Sequence, residues 1–250
     1  MVRHRKSVRL SACAGRHKTP QILIDFNKSL VIIPARKGSK GIPAKNKKLL
    51  NGKPLIQYTI DAAMAIFPKY SICISTDDID IQDIGIQNGL SVPNLRPENL
   101  SNDKASARDV ILYEVLKTDR EIETIVYLQP TSPLRTALNI KEAIDLYDND
   151  AMDMLVSVSL AKANPYFNLF EEDEKDNLVI SKKHESKSRQ DAPEVFQFNG
   201  AIYLINYQSL IKNEISLFPR IKKYLMSKED SIDIDDPIDW HLAEILMNSR

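Results

Sequence analysis

The strongest constraint on this chain is an alternation between residues 30 and about 160. Short β-branched apolar runs recur there, each followed by a segment of helical period. Residues 30–34, 71–76, 124–129 and 154–158 read as strands, continuous in apolar side chains as strands covered on both faces are. Helices are expected over 54–66, where Leu55, Tyr58, Ala62 and Ile66 share one side, over 79–88 with Gly89 as the stop, and over 105–117 and 139–147. This order folds as an α/β domain, a mainly parallel sheet with helices on both faces. Further strands are expected at 200–205 and 224–226, with a closing helix at 236–247. The polar stretch 171–190 suits a protruding hairpin, so the domain over 29–250 is expected to carry a small inserted subdomain around 160–200.

Charge narrows the classes of partner. The chain has 34 Lys and Arg against 34 Asp and Glu, so the molecule as a whole has no polyanion-binding character. Seven of the bases and one of the acids lie in residues 1–28, leaving 27 bases and 33 acids beyond. Residues 1–18 lack acids and clear periodicity, and the basic opening 1–28 reads as a disordered arm. Cys13 and Cys73 cannot by themselves build a disulfide framework or a four-ligand zinc site. No apolar run approaches the ~20 residues of a membrane helix. A cytoplasmic protein with neither nucleic-acid nor membrane partner is expected.

In an open parallel sheet, ligands bind beyond the carboxyl ends of the strands. Loop 35–46 follows the first strand and carries Arg36, Lys37, Lys40 and Lys45 with Gly38 and Gly41. Glycines that let amides turn inward, beside clustered cations, suit a triphosphate. The spacing is neither a P-loop nor Gly-x-Gly-x-x-Gly. Near the end, residues 230–236 alternate carboxylates with Ile232 and Ile234. In a strand, Asp233 and Asp235 share a face, and two carboxylates with substrate phosphates make a Mg²⁺ site. Asp235 or Asp236 can equally cap the last helix ahead of Pro237. Residues 128–135, ending at Arg135, read either as a ligand-reading loop or as a Pro-rich turn. Arg96 and Arg189 are isolated loop arginines, no histidine stands in a metal or triad spacing, and Cys73 reads as a strand residue.

Six segments in order carry a family resemblance: 33–46, 74–77, 95–100 with Asp103, 128–135, 199–203 and 230–235. Together they resemble the N-acylneuraminate cytidylyltransferases, or CMP-sialic acid synthetases, over about residues 30–248. The resemblance implies a nucleotide-diphospho-sugar transferase-like fold, a homodimer formed through the inserted subdomain, and transfer of CMP from CTP to a nonulosonic acid with release of diphosphate. It implies that Arg36 and Lys45 meet the CTP phosphates, and that Asn46 and Arg96, with Ala105 and Ser106, hold the nucleotide. Asp233 and Asp235 would hold Mg²⁺, and Gln129, Arg189, Asn199 and Tyr203 would line the sugar-acid side. Arg36, Lys45, Asp233 and Asp235 would carry catalysis. Two segments depart from the sialic-acid pattern. Gln197 stands where many members have Arg, and residues 163–168 look closer to relatives that activate legionaminic acid. A 3-deoxy-manno-octulosonate cytidylyltransferase and a non-catalytic nucleotide sensor of the same fold are the alternatives. The 128–135 and 230–235 segments, and the intact phosphate loop and acidic pair, speak against them.

Overall fold

A computed structural model of the chain describes residues 24–39, 41–92, 94–183 and 189–250. In chain order the elements are β1 (Ser29–Pro34), β2 (Leu49–Leu50), β3 (Lys53–Pro54), α1 (Leu55–Met64), β4 (Ile72–Ser75), α2 (Ile79–Gln87), α3 (Ala107–Val115) and β5 (Thr124–Tyr127). There follow α4 (Ala137–Leu146), β6 (Met154–Leu160), β7 (Phe170–Glu172), β8 (Leu178–Ile180), β9 (Phe196–Asn206), α5 (Tyr207–Lys212), β10 (Ile221–Leu225) and α6 (Pro237–Asn248).

Six strands form one sheet in the order β10-β6-β9-β5-β1-β4. β1 runs parallel to β4 and β5, and β10 parallel to β6. β9 is antiparallel to both of its neighbours, because the chain turns round after β6 and returns beside it. Between β6 and β9 the polar stretch folds as the β7–β8 hairpin, exposed along most of its length.

Side-chain alternation explains the two helical layers. Val31 and Ile33 point into a core built with Ile56 and Ile60 of α1, Ile81 of α2, and Ile140 and Ile144 of α4. Leu30 and Ile32 point the other way, onto Ile111 of α3 and Leu210 of α5. A third cluster joins Leu50 and Leu55 with Ile42 of the basic loop, Ile234 of the acidic segment, and Trp240 and Ala243 of α6.

Three differences from the sequence expectation bear on the domain and its site. The first lies at the N-terminal end. Ile24 is buried in the core, and Phe26 packs edge-on to Phe67 at 5.2 Å between centroids, so residues 24–28 belong to the folded domain. What was expected of residues 1–23 lies outside the described residues. The second is α3, which begins at Ala107 because the Ser106 hydroxyl accepts from the Asp109 amide. Ala105 and Ser106 therefore stand ahead of the helix. The third concerns residues 232–235, which belong to no strand. Ile234 N donates to Thr131 O at 2.8 Å, while Ile232 and Ile234 pack on α6. The alternation thus separates carboxylates from isoleucines without a sheet partner.

Candidate active site

The carboxyl ends of β1, β4 and β5 meet beneath a cavity of about 590 Å³. Eight residues singled out in the sequence line it: Arg36, Lys45, Asn46, Arg96, Ala105, Ser106, Gln129 and Asp235. A second cavity of about 320 Å³ adjoins it and shares Ser106, Ala107, Tyr127 and Gln129 as a common wall. Tyr203 lines the second cavity, with Phe198, Ile205 and Ile215.

The basic loop is held in place from several sides. The amide of Lys37 donates to Asp77 Oδ1 at 2.7 Å, and Asn46 Nδ2 donates to the Arg36 carbonyl at 3.1 Å. Gly41 passes so close to Asp235 that a Cβ there would collide with the Asp235 carbonyl, so only glycine fits. Loop and acidic segment are thereby packed backbone to backbone. Lys45 follows Ala44, which sits in the left-handed region at φ 52°. Its nearly buried Nζ donates to Ile234 O at 2.5 Å and lies 3.5 Å from Asp235 Oδ1. Arg36 Nη1 lies 2.6 Å from Asp103 Oδ1. Arg36 thus rests on a carboxylate, and Lys45 on a carbonyl with a carboxylate beside it.

Arg96 is 7% exposed, and its Nη2 donates to Ser75 O at 3.1 Å. Its Nε is buried with no partner among the described residues. Burial pulls this guanidinium below its ordinary pKa, and the nearby Tyr127, Asp77 and Glu114 partly oppose that. A buried cation with an unused donor beside a cavity is arranged for an anionic ligand.

Asp233 shows the converse. Its Oδ1 is buried and has no partner among the described residues. Burial pushes its carboxyl above the usual range; a hydrogen bond from Thr131 draws it back, and the charge of Asp235 raises it further. An orphaned carboxylate oxygen next to a second, exposed carboxylate fits a divalent cation. Among the described residues no group of three or more His, Cys, Asp or Glu gathers in metal-binding fashion, so phosphate oxygens and water would complete the shell.

Asn199 and Gly200 sit where the β6–β9 register shifts between Val156 and Val158. Ser157 Oγ donates to Asn199 Oδ1 at 2.6 Å and accepts from Ile202 N at 2.8 Å, which satisfies the bulge. Gly200 takes φ +73°, and a Cβ there would stand 2.5 Å from Gln129 Oε1 and 2.9 Å from Asp233 Oδ2. Bare backbone at this position lets both side chains approach the sheet. Asn199 itself is buried, donating to Ser231 Oγ at 2.9 Å, and lines neither cavity. Arg189 opens a 3-10 turn, Arg189–Asp191, and what its side chain does falls outside the described residues.

Arg135 resolves toward the structural reading of its loop. Fully buried, it donates to Ala201 O at 2.7 Å, Gln129 O at 3.1 Å and Thr59 Oγ1 at 2.5 Å. Burial lowers its pKa to about 9, so it stays protonated at neutral pH while tying the Gln129 loop to α1 and β9. Asp78 caps α2 and pairs with Lys47 at 2.9 Å, a structural duty as well. Tyr127 and Asp103 also line the cavity, and neither had a role assigned in the sequence. The signals were a lone hydroxyl in an aliphatic strand and a carboxylate in the segment leading to α3.

A family model described as "Cytidylyltransferase" matches residues 30–237. An N-acylneuraminate cytidylyltransferase of Streptococcus agalactiae serotype V is 37% identical over 215 residues, 85% of this chain and 52% of that protein. A CMP-N,N'-diacetyllegionaminic acid synthase of Legionella pneumophila is 35% identical over 223 residues, 87% of this chain and 95% of that protein. The chain thus spans about half the length of the streptococcal relative and nearly all of the Legionella one. In fold it resembles a CMP:2-keto-3-deoxy-manno-octonic acid synthetase solved with CTP, at TM-score 0.65 and 17% identity, covering 89% of this chain and 99% of that one. With Arg36, Lys45, Arg96 and Asp235 gathered round one cavity, and with this match across most of its length, the chain belongs to the cytidylyltransferase family.

Proposed function

We propose that the protein activates a nonulosonic acid, joining CMP from CTP to the sugar's anomeric hydroxyl and releasing diphosphate. The observation that carries this reading is the pair of adjoining cavities. One gathers Arg36, Lys45, Arg96 and Asp235, the groups a triphosphate needs, and the other is mostly apolar and shares the Gln129 wall with it.

On this reading Arg36 and Lys45 exchange their carboxylate and carbonyl partners for phosphate oxygens as CTP enters. Arg96 contributes the buried donor that now lacks a partner, and Asn46, Ala105 and Ser106 bound the nucleoside side. Gln129 and Tyr203 hold the sugar at the seam, with Asn199 positioning Gly200 behind them and Arg189 pairing the sugar carboxylate. The anomeric oxygen bonds to the α-phosphorus as its hydroxyl proton passes to water, and the α–β bridging oxygen leaves on diphosphate beside Lys45 and Arg36. When bound between Asp233 and Asp235, Mg²⁺ supplies further neutralisation of the charge on the phosphates. Positioning and electrostatics of this kind provide most of the acceleration in such transfers.

The 163–168 segment and the near full-length similarity to the Legionella synthase favour a legionaminate-type acid over N-acetylneuraminate. The exposed Phe170, Leu178 and Val179 of the β7–β8 hairpin are the surface for a homodimer. Among the described residues no helix is long and apolar enough to cross a membrane, and the CTP substrate fits work in the cytoplasm. Diphosphate release across a panel of purified nonulosonic acids tests the assignment. A higher kcat/KM for legionaminate than for N-acetylneuraminate is expected, and the reverse order would contradict it.

A further inference from the structure

The far side of the second cavity carries an ion pair that the proposed function leaves unused. Arg108, in the first turn of α3, donates through Nε to Leu210 O and through Nη2 to Ile211 O, each at 2.9 Å. Those carbonyls end α5, so the guanidinium is fixed as a helix C-cap. Its remaining nitrogen, Nη1, lies 3.4 Å from Glu214 Oε1. Glu214 precedes a 3-10 turn, Ile215–Leu217, but its side chain makes no capping bond to it. Its second oxygen, Oε2, has no hydrogen bond from a described residue, and the side chain is 55% exposed.

We infer that Glu214, held by Arg108, is a specificity-determining residue that accepts a hydrogen bond from the sugar's remote end. This rests on the proposed function, which puts the anomeric carbon at the α-phosphate. Gln129 lines both cavities and Glu214 only the second. A nine-carbon acid seated with its anomeric centre at the Gln129 seam extends its other end toward Glu214. The surrounding wall of Phe198, Ile111 and Ile215 offers that end apolar contact, and the carboxylate is an acceptor within it. The ligand group it fits is a hydroxyl or amide N–H on the carbons remote from the anomeric centre. A half-exposed acceptor beside an apolar wall favours substrates that bring a donor and disfavours those that bring a second acceptor or an anion.

Steady-state kinetics with each substrate varied separately test this on wild type, Glu214→Gln and Glu214→Ala. The sugar is used both intact and with its remote donor replaced by hydrogen. Loss of a hydrogen bond to a charged group predicts about a tenfold rise in sugar KM for Glu214→Ala, with a smaller rise for Glu214→Gln. The KM for CTP stays within about twofold, since Glu214 does not reach the nucleotide cavity. Removing the donor from the sugar then costs wild type the same factor and costs Glu214→Ala nothing. An active wild type whose sugar KM is matched by both variants, or equal sensitivity of wild type and Glu214→Ala to the missing donor, overturns the role of Glu214 alone. A wild type inert toward every nonulosonic acid overturns the proposed function and this inference together.

Discussion

Asp233 is a residue where burial and chemistry pull in opposite directions. Its carboxyl is held above the ordinary aspartate range, chiefly by desolvation. A carboxyl with a raised folded pKa binds protons more tightly when folded. The folded state therefore loses stability as pH climbs from the ordinary aspartate value through the raised one, and carries the full penalty above it. Asp233→Asn removes that penalty. Without metal, the variant is expected to melt above wild type at neutral pH, with the gap closing as pH falls below the ordinary carboxylate range. Adding Mg²⁺ and CTP should then stabilise wild type and leave the variant nearly unmoved, with kcat reduced at least about 100-fold. Thermal melts across pH, with and without Mg²⁺–CTP, check both halves; equal stabilisation of the two proteins by Mg²⁺–CTP would contradict the metal assignment. Ile232 and Ile234 both pack on α6, and their alternation with Asp233 and Asp235 was legible in the sequence. The burial of one oxygen was not, because it depends on Gly200 and Thr131, which arrive from distant parts of the chain.

At the scale of elements, α6 does more than close the chain. Of the two candidates ahead of Pro237, its cap is Asp236, which accepts from Ile238 N and Asp239 N, while Asp239 Oδ2 accepts from Asp235 N and Asp236 N. Trp240 then packs with Ile42 and Ile234, so one helix holds both the basic loop and the acidic segment. Trp240→Ala is expected to cost about 3–5 kcal/mol of stability. It should also raise the KM for CTP, because both halves of the phosphate site lose their support. Chemical denaturation and kinetics on the variant check this; lost stability with an unchanged CTP KM would reduce the cluster to ordinary core. Strand–helix alternation made β1, β4, β5, β6 and the layers visible in sequence, since each run keeps its own period. The reversal of β9 and the short α5 were not visible, as direction and a six-residue helix leave no periodic mark. Arg135 looked the same as a ligand arginine because burial is a property of the fold, not of the residue.

The whole molecule presents the β7–β8 hairpin beyond its sheet, with Leu178 71% and Phe170 51% exposed. If this is the dimer surface, light scattering should give twice the 28.4 kDa chain mass for wild type. Leu178→Lys should shift the equilibrium toward monomer, with unfolding free energy of the monomer changed by no more than about 0.5 kcal/mol. A wild type that stays monomeric at working concentration would remove the hairpin's role. The central claim concerns the bond that breaks. Phosphorus NMR of a reaction with CTP, Mg²⁺ and a nonulosonic acid reads this directly. The account predicts a sugar-phosphodiester signal and diphosphate appearing in equal amounts, both lost without sugar and both lost in Asp235→Ala. Orthophosphate with CDP, or diphosphate and CMP formed without sugar, would contradict it.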